Sequence, residues 1–181
     1  MQRQLIDKID TLGAAAARGQ SARIVIKMNA LTDEALIDSL MQAGKNGVKT
    51  DLIVRGACML PAQVQGHTDN IRVRSIIGRF LEHSRVFYFR LDEVEDLYLS
   101  SADWMNRNMV RRIELAWPVT DPEQRQRIVD ECLVASLYDG VDAWDMAADG
   151  TYTRCLGRSG TLPHGAQAAL MGRYGLNQDG N

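Results

Sequence analysis

The stretch RIVIKMNALTDEALIDSLMQAGKNGVKTDLIVRG, residues 23–56, decides the fold. RIVIKM, Arg23 to Met28, and KTDLIV, Lys49 to Val54, read as strands. Between them Thr32-Asp33-Glu34 starts a helix that carries Leu36, Ile37, Leu40 and Met41 on its apolar face and ends near Gly44 or Gly47. Strand, helix and strand within residues 23–54 make a βαβ unit with two parallel strands. Such units place ligands at the carboxyl ends of their strands. Arg55 stands at one of these ends, followed by Gly56, a residue that lets backbone approach closely.

Outward from this unit, Leu5, Ile6, Ile9 and Leu12 predict a helix over residues 3–18 that ends near Gly19. Residues 56–68 have turn chemistry and read as a loop. IRVRSI, RVFYFR and DLYLSS read as three more strands, and VRRIELAWPV, from Val110, as another. Asp121-Pro122 caps a helix running toward Tyr138. A hairpin is expected around Asp149-Gly150, and the terminal NQDGN is expected to fray. The fold class is therefore α/β in a single domain over 1–181, with a core at about 20–155 and a tail at 156–181.

Composition excludes several function classes. With 45% hydrophobic and 24% charged residues the chain is an ordinary globular one. A net charge of −2 gives no global pull toward nucleic acid or membrane. No apolar run approaches the ~20 residues that cross a bilayer, and Met1 opens onto the polar QRQLIDKID, unlike a signal peptide. Cys58, Cys132 and Cys155 lack metal-type spacing and suit reduced thiols in a cytoplasm.

The positive charge is local. Residues 71–90 hold Arg72, Arg74, Arg79, Arg85 and Arg90 against Glu82, so five minus one gives +4. In IRVRSI, strand alternation puts Arg72 and Arg74 on one face, with Ile71, Val73 and Ser75 on the other. At a rise of ~3.3 Å per residue the two guanidiniums sit ~7 Å apart. They repel unless an anion lies between them, and phosphate matches a guanidinium fork. An edge strand that carries charge to deter aggregation would read the same way; Arg55 shifts the balance toward an anion site.

GRFLEHSRVFYF, residues 78–89, sets His83 between arginines at the mouth of an apolar strand. A histidine ring nitrogen can serve as nucleophile or general base. Ser100-Ser101-Ala102-Asp103 closes the next strand; Asp103 is expected to orient the ring N–H and the serines to donate to phosphate oxygens. There is no G-x-x-x-x-G-K-[ST], no G-x-G-x-x-G and no G-x-S-x-G, so phosphate would be held by side-chain cations.

Three stretches, IKMNALTDEALIDSLMQAGKNGVKTDLIVRGACML, NIRVRSIIGRFLEHSRVFYF and SSADWMNRNMVRRIE, closely resemble the C-terminal domain of polyphosphate kinases, from about Leu5 to about Tyr152. The resemblance implies a phospholipase D-like mixed sheet flanked by helices. It implies that His83 takes the place of the phospholipase D histidine, Arg85 that of the lysine in its H-x-K pattern, and Ser101 and Asp103 those of its G-S-x-N element. Arg55 would contact nucleotide phosphates, Lys27 and Asn29 would line the active-site tunnel, and Arg74 and Arg107 would be further phosphate contacts. The sequence departs from the family pattern at Pro61, where an arginine is usual, at Asn106, where proline is usual, and at Ser100, where glycine is usual.

Polyphosphate kinases are much longer, and the histidine they autophosphorylate lies in a preceding domain. The chain is therefore expected to be a fragment, inactive alone, of an enzyme that moves the terminal phosphate of ATP reversibly onto inorganic polyphosphate. The resemblance implies Mg²⁺ with ATP, ATP or ADP and polyphosphate as partners, the remaining kinase domains, and a homo-oligomeric parent. It implies a cytoplasmic protein whose parent can associate with membrane, and no nucleic-acid partner. Two rival readings are a phospholipase D-type phosphodiesterase half-domain, against which the lone H-x-R stands, and a non-enzymatic polyanion-binding module.

Overall fold

The computed structural model describes residues 1–157, 160 and 163–175. The βαβ unit forms as the sequence predicts. Strand β1 spans Ala22–Met28, helix α2 spans Glu34–Lys45 and strand β2 spans Lys49–Val54. The Asp33 side chain accepts from the Leu36 N–H at 3.1 Å and caps α2. β1 and β2 run parallel with Arg23 opposite Lys49 and Met28 opposite Val54.

Six more strands complete one mixed sheet: β3 (Ile71–Ile76), β4 (Val86–Leu91), β5 (Val94–Ser100), β6 (Ala116–Pro118), β7 (Ala143–Met146) and β8 (Tyr152–Arg154). The order is β6-β5-β4-β1-β2-β3-β7-β8. β3 is parallel to β2, and the remaining pairs are antiparallel. The β7–β8 hairpin lies where Asp149-Gly150 predicts it.

Helices cover both faces. Helix α1 (Gln2–Ala16) buries Leu5, Ile9 and Leu12, and α2 buries Leu36 and Leu40, against Ile24, Ile26, Leu52, Phe87 and Phe89. The core thus takes in α1 as well. The opposite face carries a smaller cluster of Val25, Ile53, Val86, Tyr88 and Leu97 under Leu133. Its lid is α3 (Pro122–Ile128), which continues through a π-helical stretch, Val129–Val134, into α4 (Ala135–Leu137). Asp121 caps α3 by accepting from the Gln124 N–H at 2.8 Å.

Two expectations change. The strand expected over VRRIELAWPV shrinks to Ala116–Pro118, because Arg107–Arg111 winds into a π-helical turn. Among the described residues no layer covers its apolar side chains: Val110, Ile113 and Leu115 are exposed. Glu114 holds the bend by accepting from Asn108 Nδ2 at 2.6 Å and from the Ser101 hydroxyl. In the segment read as tail, Ala166–Gly175 forms helix α5, which buries Ala166 and Gln167. The terminal NQDGN lies outside the described residues.

Candidate functional site

Four candidate residues meet where β1 and β2 end and β4 begins. Arg55 Nη2 donates to Asn29 Oδ1 at 2.7 Å. Asn29 Nδ2 donates to Asp103 Oδ2 at 3.4 Å, and the Asn29 N–H donates to Asp103 Oδ1 at 2.7 Å. Arg85 grips the same carboxylate as a fork, Nε to Oδ1 at 3.1 Å and Nη2 to Oδ2 at 2.9 Å. A polar chain Arg55–Asn29–Asp103–Arg85 thus ties two guanidiniums to one rigid base. Asn29 and Asp103 are both buried.

The local sequence explains how this base is held. Trp104 is fully buried, packs edge-on against Phe87 at 5.4 Å, and accepts from the N–H groups of Thr32 and Asp33 through its carbonyl. Asp103 is thereby pinned against the turn that follows β1. Gly56 lies so close to the Asn29 carbonyl oxygen that a Cβ there would come within 2.8 Å. Only glycine permits the 2.7 Å bond from the Gly56 N–H to that carbonyl. The close approach read from the sequence is real, and its partner is the backbone of Asn29.

Asp103 does not serve His83. Both of its oxygens are taken by Arg85, Asn29 and the Ala30 N–H. Burial pushes the Asp103 carboxyl up, and the hydrogen bonds from Arg85 and Asn29 outweigh it, holding the pKa below its ordinary value. The serines are likewise committed within the fold. Ser100 Oγ donates to the Leu115 carbonyl at 2.9 Å, and the Ser101 hydroxyl donates to Glu114, holding that carboxyl low.

His83 lies exposed in the loop 77–85 that leads into β4. Arg85 Nη1 donates to the His83 carbonyl at 3.3 Å. Two residues outside the sequence-derived set, Glu82 and Gln167, fix this loop. Lys27, buried on β1, is ion-paired with Glu82 and donates to Ser136 Oγ at 3.1 Å. Lys27, expected to line the active-site tunnel, thus has its charge met by an internal carboxylate. Gln167, on α5, accepts from the Phe80 N–H at 2.7 Å and donates to the Phe80 carbonyl at 2.8 Å and to Glu82 at 2.9 Å. Gly78 leaves room for it, since a Cβ there would meet Gln167 Oε1 at 2.6 Å.

The anion expected near Arg72 and Arg74 comes from the protein itself. Arg74 is held by Asp145 at 2.8 Å and by the Leu137 carbonyl, with only 14% of its side chain exposed. Arg72 donates to Asp51 at 2.8 Å. Asp145 on β7 and Asp51 inside KTDLIV were missed as partners; a carboxylate at an inward strand position was the available signal for Asp51. Arg107 is exposed in the π-helical turn, away from this polar chain's bonds.

Arg55 differs from these cations. Among the described residues it has no carboxylate partner, and its Nε is buried without an acceptor. No group of three or more His, Cys, Asp or Glu side chains among the described residues could hold a metal ion. The nearby carboxylates Glu82, Asp103 and Glu114 are bound by Lys27, Arg85 and Ser101.

The mixed sheet, with helices on both faces and a basic site where the parallel strands end, defines a phospholipase D-like α/β domain. NUC from Salmonella typhimurium, a phospholipase D family member, shares this fold with a TM-score of 0.51 at 14% identity, over 76% of this chain and 89% of its own. The sequence matches Polyphosphate kinase C-terminal domain 2 over residues 1–167, and the chain belongs to that family.

The polyphosphate kinase of Porphyromonas gingivalis superposes with a TM-score of 0.90 at 34% identity, over all of this chain and 28% of its own. The polyphosphate kinase of Burkholderia multivorans is 46% identical over 171 residues, 94% of this chain and 25% of the relative. That of Xylella fastidiosa is 47% identical over 156 residues, 86% of this chain and 22% of the relative. The chain spans about a quarter of the length of these curated relatives. Among the described residues no helix is long and apolar enough to cross a membrane.

Proposed function

We propose that the chain is a catalytic domain of a polyphosphate kinase and supplies one side of a phosphoryl-transfer site. The observation that carries this reading is Arg55, a guanidinium fixed by Asn29 with a buried Nε and no acidic partner among the described residues. Such a group calls for an anionic acceptor from outside. Phosphoryl transfer needs positioning and charge neutralisation more than covalent work by the protein.

In this reading the terminal phosphoryl group leaves ATP for a histidine of the preceding domain, releases ADP, and passes to the end of a polyphosphate chain; the steps run in reverse equally. Arg55 neutralises phosphate oxygens as charge builds. Arg85 holds Asp103 through two donors and braces the His83 backbone with the third nitrogen. His83, exposed on its braced loop, gives or takes a proton at the transferring group. Lys27 acts mainly through Glu82, keeping that loop in place. Arg107 reaches phosphate from the π-helical turn. Mg²⁺ arrives with ATP, because the carboxylates here offer it no open set of ligands. The parent is a cytoplasmic homo-oligomer, and the isolated chain makes no polyphosphate.

The test joins this chain to the remaining kinase domains and assays ATP-dependent synthesis. His83→Ala should cut synthesis by ~10²–10⁴-fold, the usual share of a positioned acid or base. Unchanged synthesis, or chain lengthening by the isolated domain, contradicts the reading.

A further inference from the structure

The end of the sheet opposite the candidate site carries a second concentration of cations. In register across three strands stand Arg90 on β4, Arg23 on β1 and Lys49 on β2, with Arg23 directly opposite both neighbours. Directly opposed residues share a sheet face, and like charges so placed repel. Arg72 joins them from β3, opposite Asp51. All four cations line one cavity of about 620 Å³, and no carboxylate lines it.

Internal neutralisation is incomplete. Asp51, buried behind the row, accepts from Arg23 at 2.5 Å and from Arg72 at 2.8 Å. With Glu95 opposite Arg90 on β5, two carboxylates against four cations leave a local charge of +2. Lys49 and Arg90 make no ion pair among the described residues, and the Arg90 Nε is buried without an acceptor. Glu95, opposite Arg90 on β5, takes the Tyr88 hydroxyl at 2.6 Å. The facing wall comes from the helical lid, with Leu133, Leu137 and Tyr138. The cavity volume lies in the range of small-ligand sites, ~300–1,000 Å³.

We propose that this cavity is a second phosphate site, which takes the condensed phosphate of a short polyphosphate or of a nucleotide tail. Four cations on one rigid face match several phosphate charges in succession, and guanidinium forks suit their oxygens. On β1 the row lies four residues, ~13 Å, from Lys27. A bound chain here is therefore separate from one at Arg55.

Calorimetric titration of the chain with tripolyphosphate and with ATP, at fixed moderate salt, tests the proposal. Wild type should show two classes of site. Arg55→Ala should retain the cavity class, and Lys49→Ala with Arg90→Gln should weaken that class about tenfold or more while the other remains. Arg90→Lys should keep most of the affinity, which separates charge from fold, and melting curves verify folding. Binding of tripolyphosphate points to a free chain; binding of ATP alone, weakened by Tyr138→Ala, points to a nucleotide. A single class abolished by Arg55→Ala, or affinity indifferent to Lys49→Ala with Arg90→Gln, overturns the proposal. Loss of binding in that double variant with none in Arg55→Ala instead removes the assignment of Arg55 and leaves the cavity standing.

Discussion

Arg55 Nη2 is bound to Asn29 Oδ1 at 2.7 Å, while the Nε of the same guanidinium is buried with no acceptor. Asn29 is fixed in turn by Asp103, and Asp103 by Arg85. One end of the parallel strands thus presents an oriented cation whose charge the described residues leave unmatched. Arg74, though it lies on the neighbouring strand, is satisfied internally. The contrast between these two arginines yields distinct expectations.

Arg74 acts in the fold. Removing it takes away two donors to Asp145 and one to the Leu137 carbonyl. Arg74→Ala should lower the unfolding free energy by about 1–3 kcal/mol, measured by urea denaturation. Arg74→Lys should recover less than half of this, because an ammonium cannot reproduce the bidentate geometry. Full stability in Arg74→Ala contradicts this role.

Asp103 links stability to acid. Its pKa is held below the ordinary carboxylate value of ~3.9. A depressed pKa contributes stability that is complete above the ordinary value and is lost as pH falls through the depressed one. Asp103→Asn should therefore cost about 3 kcal/mol at neutral pH, and its deficit against wild type should shrink as pH falls below the ordinary carboxylate value. A deficit that stays constant as the pH is lowered would show that the charge of Asp103 is not what matters.

Gln167 restrains the loop that carries His83. It makes three hydrogen bonds to Phe80 and Glu82. Gln167→Ala should speed exchange of the Phe80 amide and cost about 1–3 kcal/mol. In the chain joined to the remaining kinase domains, synthesis should fall about tenfold or more through misplacement of His83. Unchanged exchange at Phe80 rules the restraint out.

The βαβ unit was legible because apolar periodicity changes from strand to helix and back within residues 23–54, and because Asp33 is a capping residue. Asn29, Arg55, Arg85 and Asp103 were legible as candidates, but their partners were not. The pairing of Asp103 with Arg85, of Lys27 with Glu82 and of Arg74 with Asp145 joins residues 18 to 71 positions apart. Such pairs follow from sheet order, which local pattern does not encode. The strand read over VRRIELAWPV failed for a related reason: its apolar residues suggested a core that no layer supplies. Helix α5 was read as tail because its alanine-rich stretch carries only a short buried edge, Ala166 and Gln167, yet Gln167 is what ties it to the site.

The most direct measurement is a residue-resolved NMR titration of the chain with tripolyphosphate, comparing wild type with Arg55→Ala. In wild type the Asn29, Gly56 and Ser84 amides should show saturable shifts. In Arg55→Ala these shifts should be lost at the same concentrations, with the rest of the spectrum folded. Equal shifts at these three amides in the variant, or none in wild type, would contradict the assignment of Arg55 as the phosphate anchor of this domain.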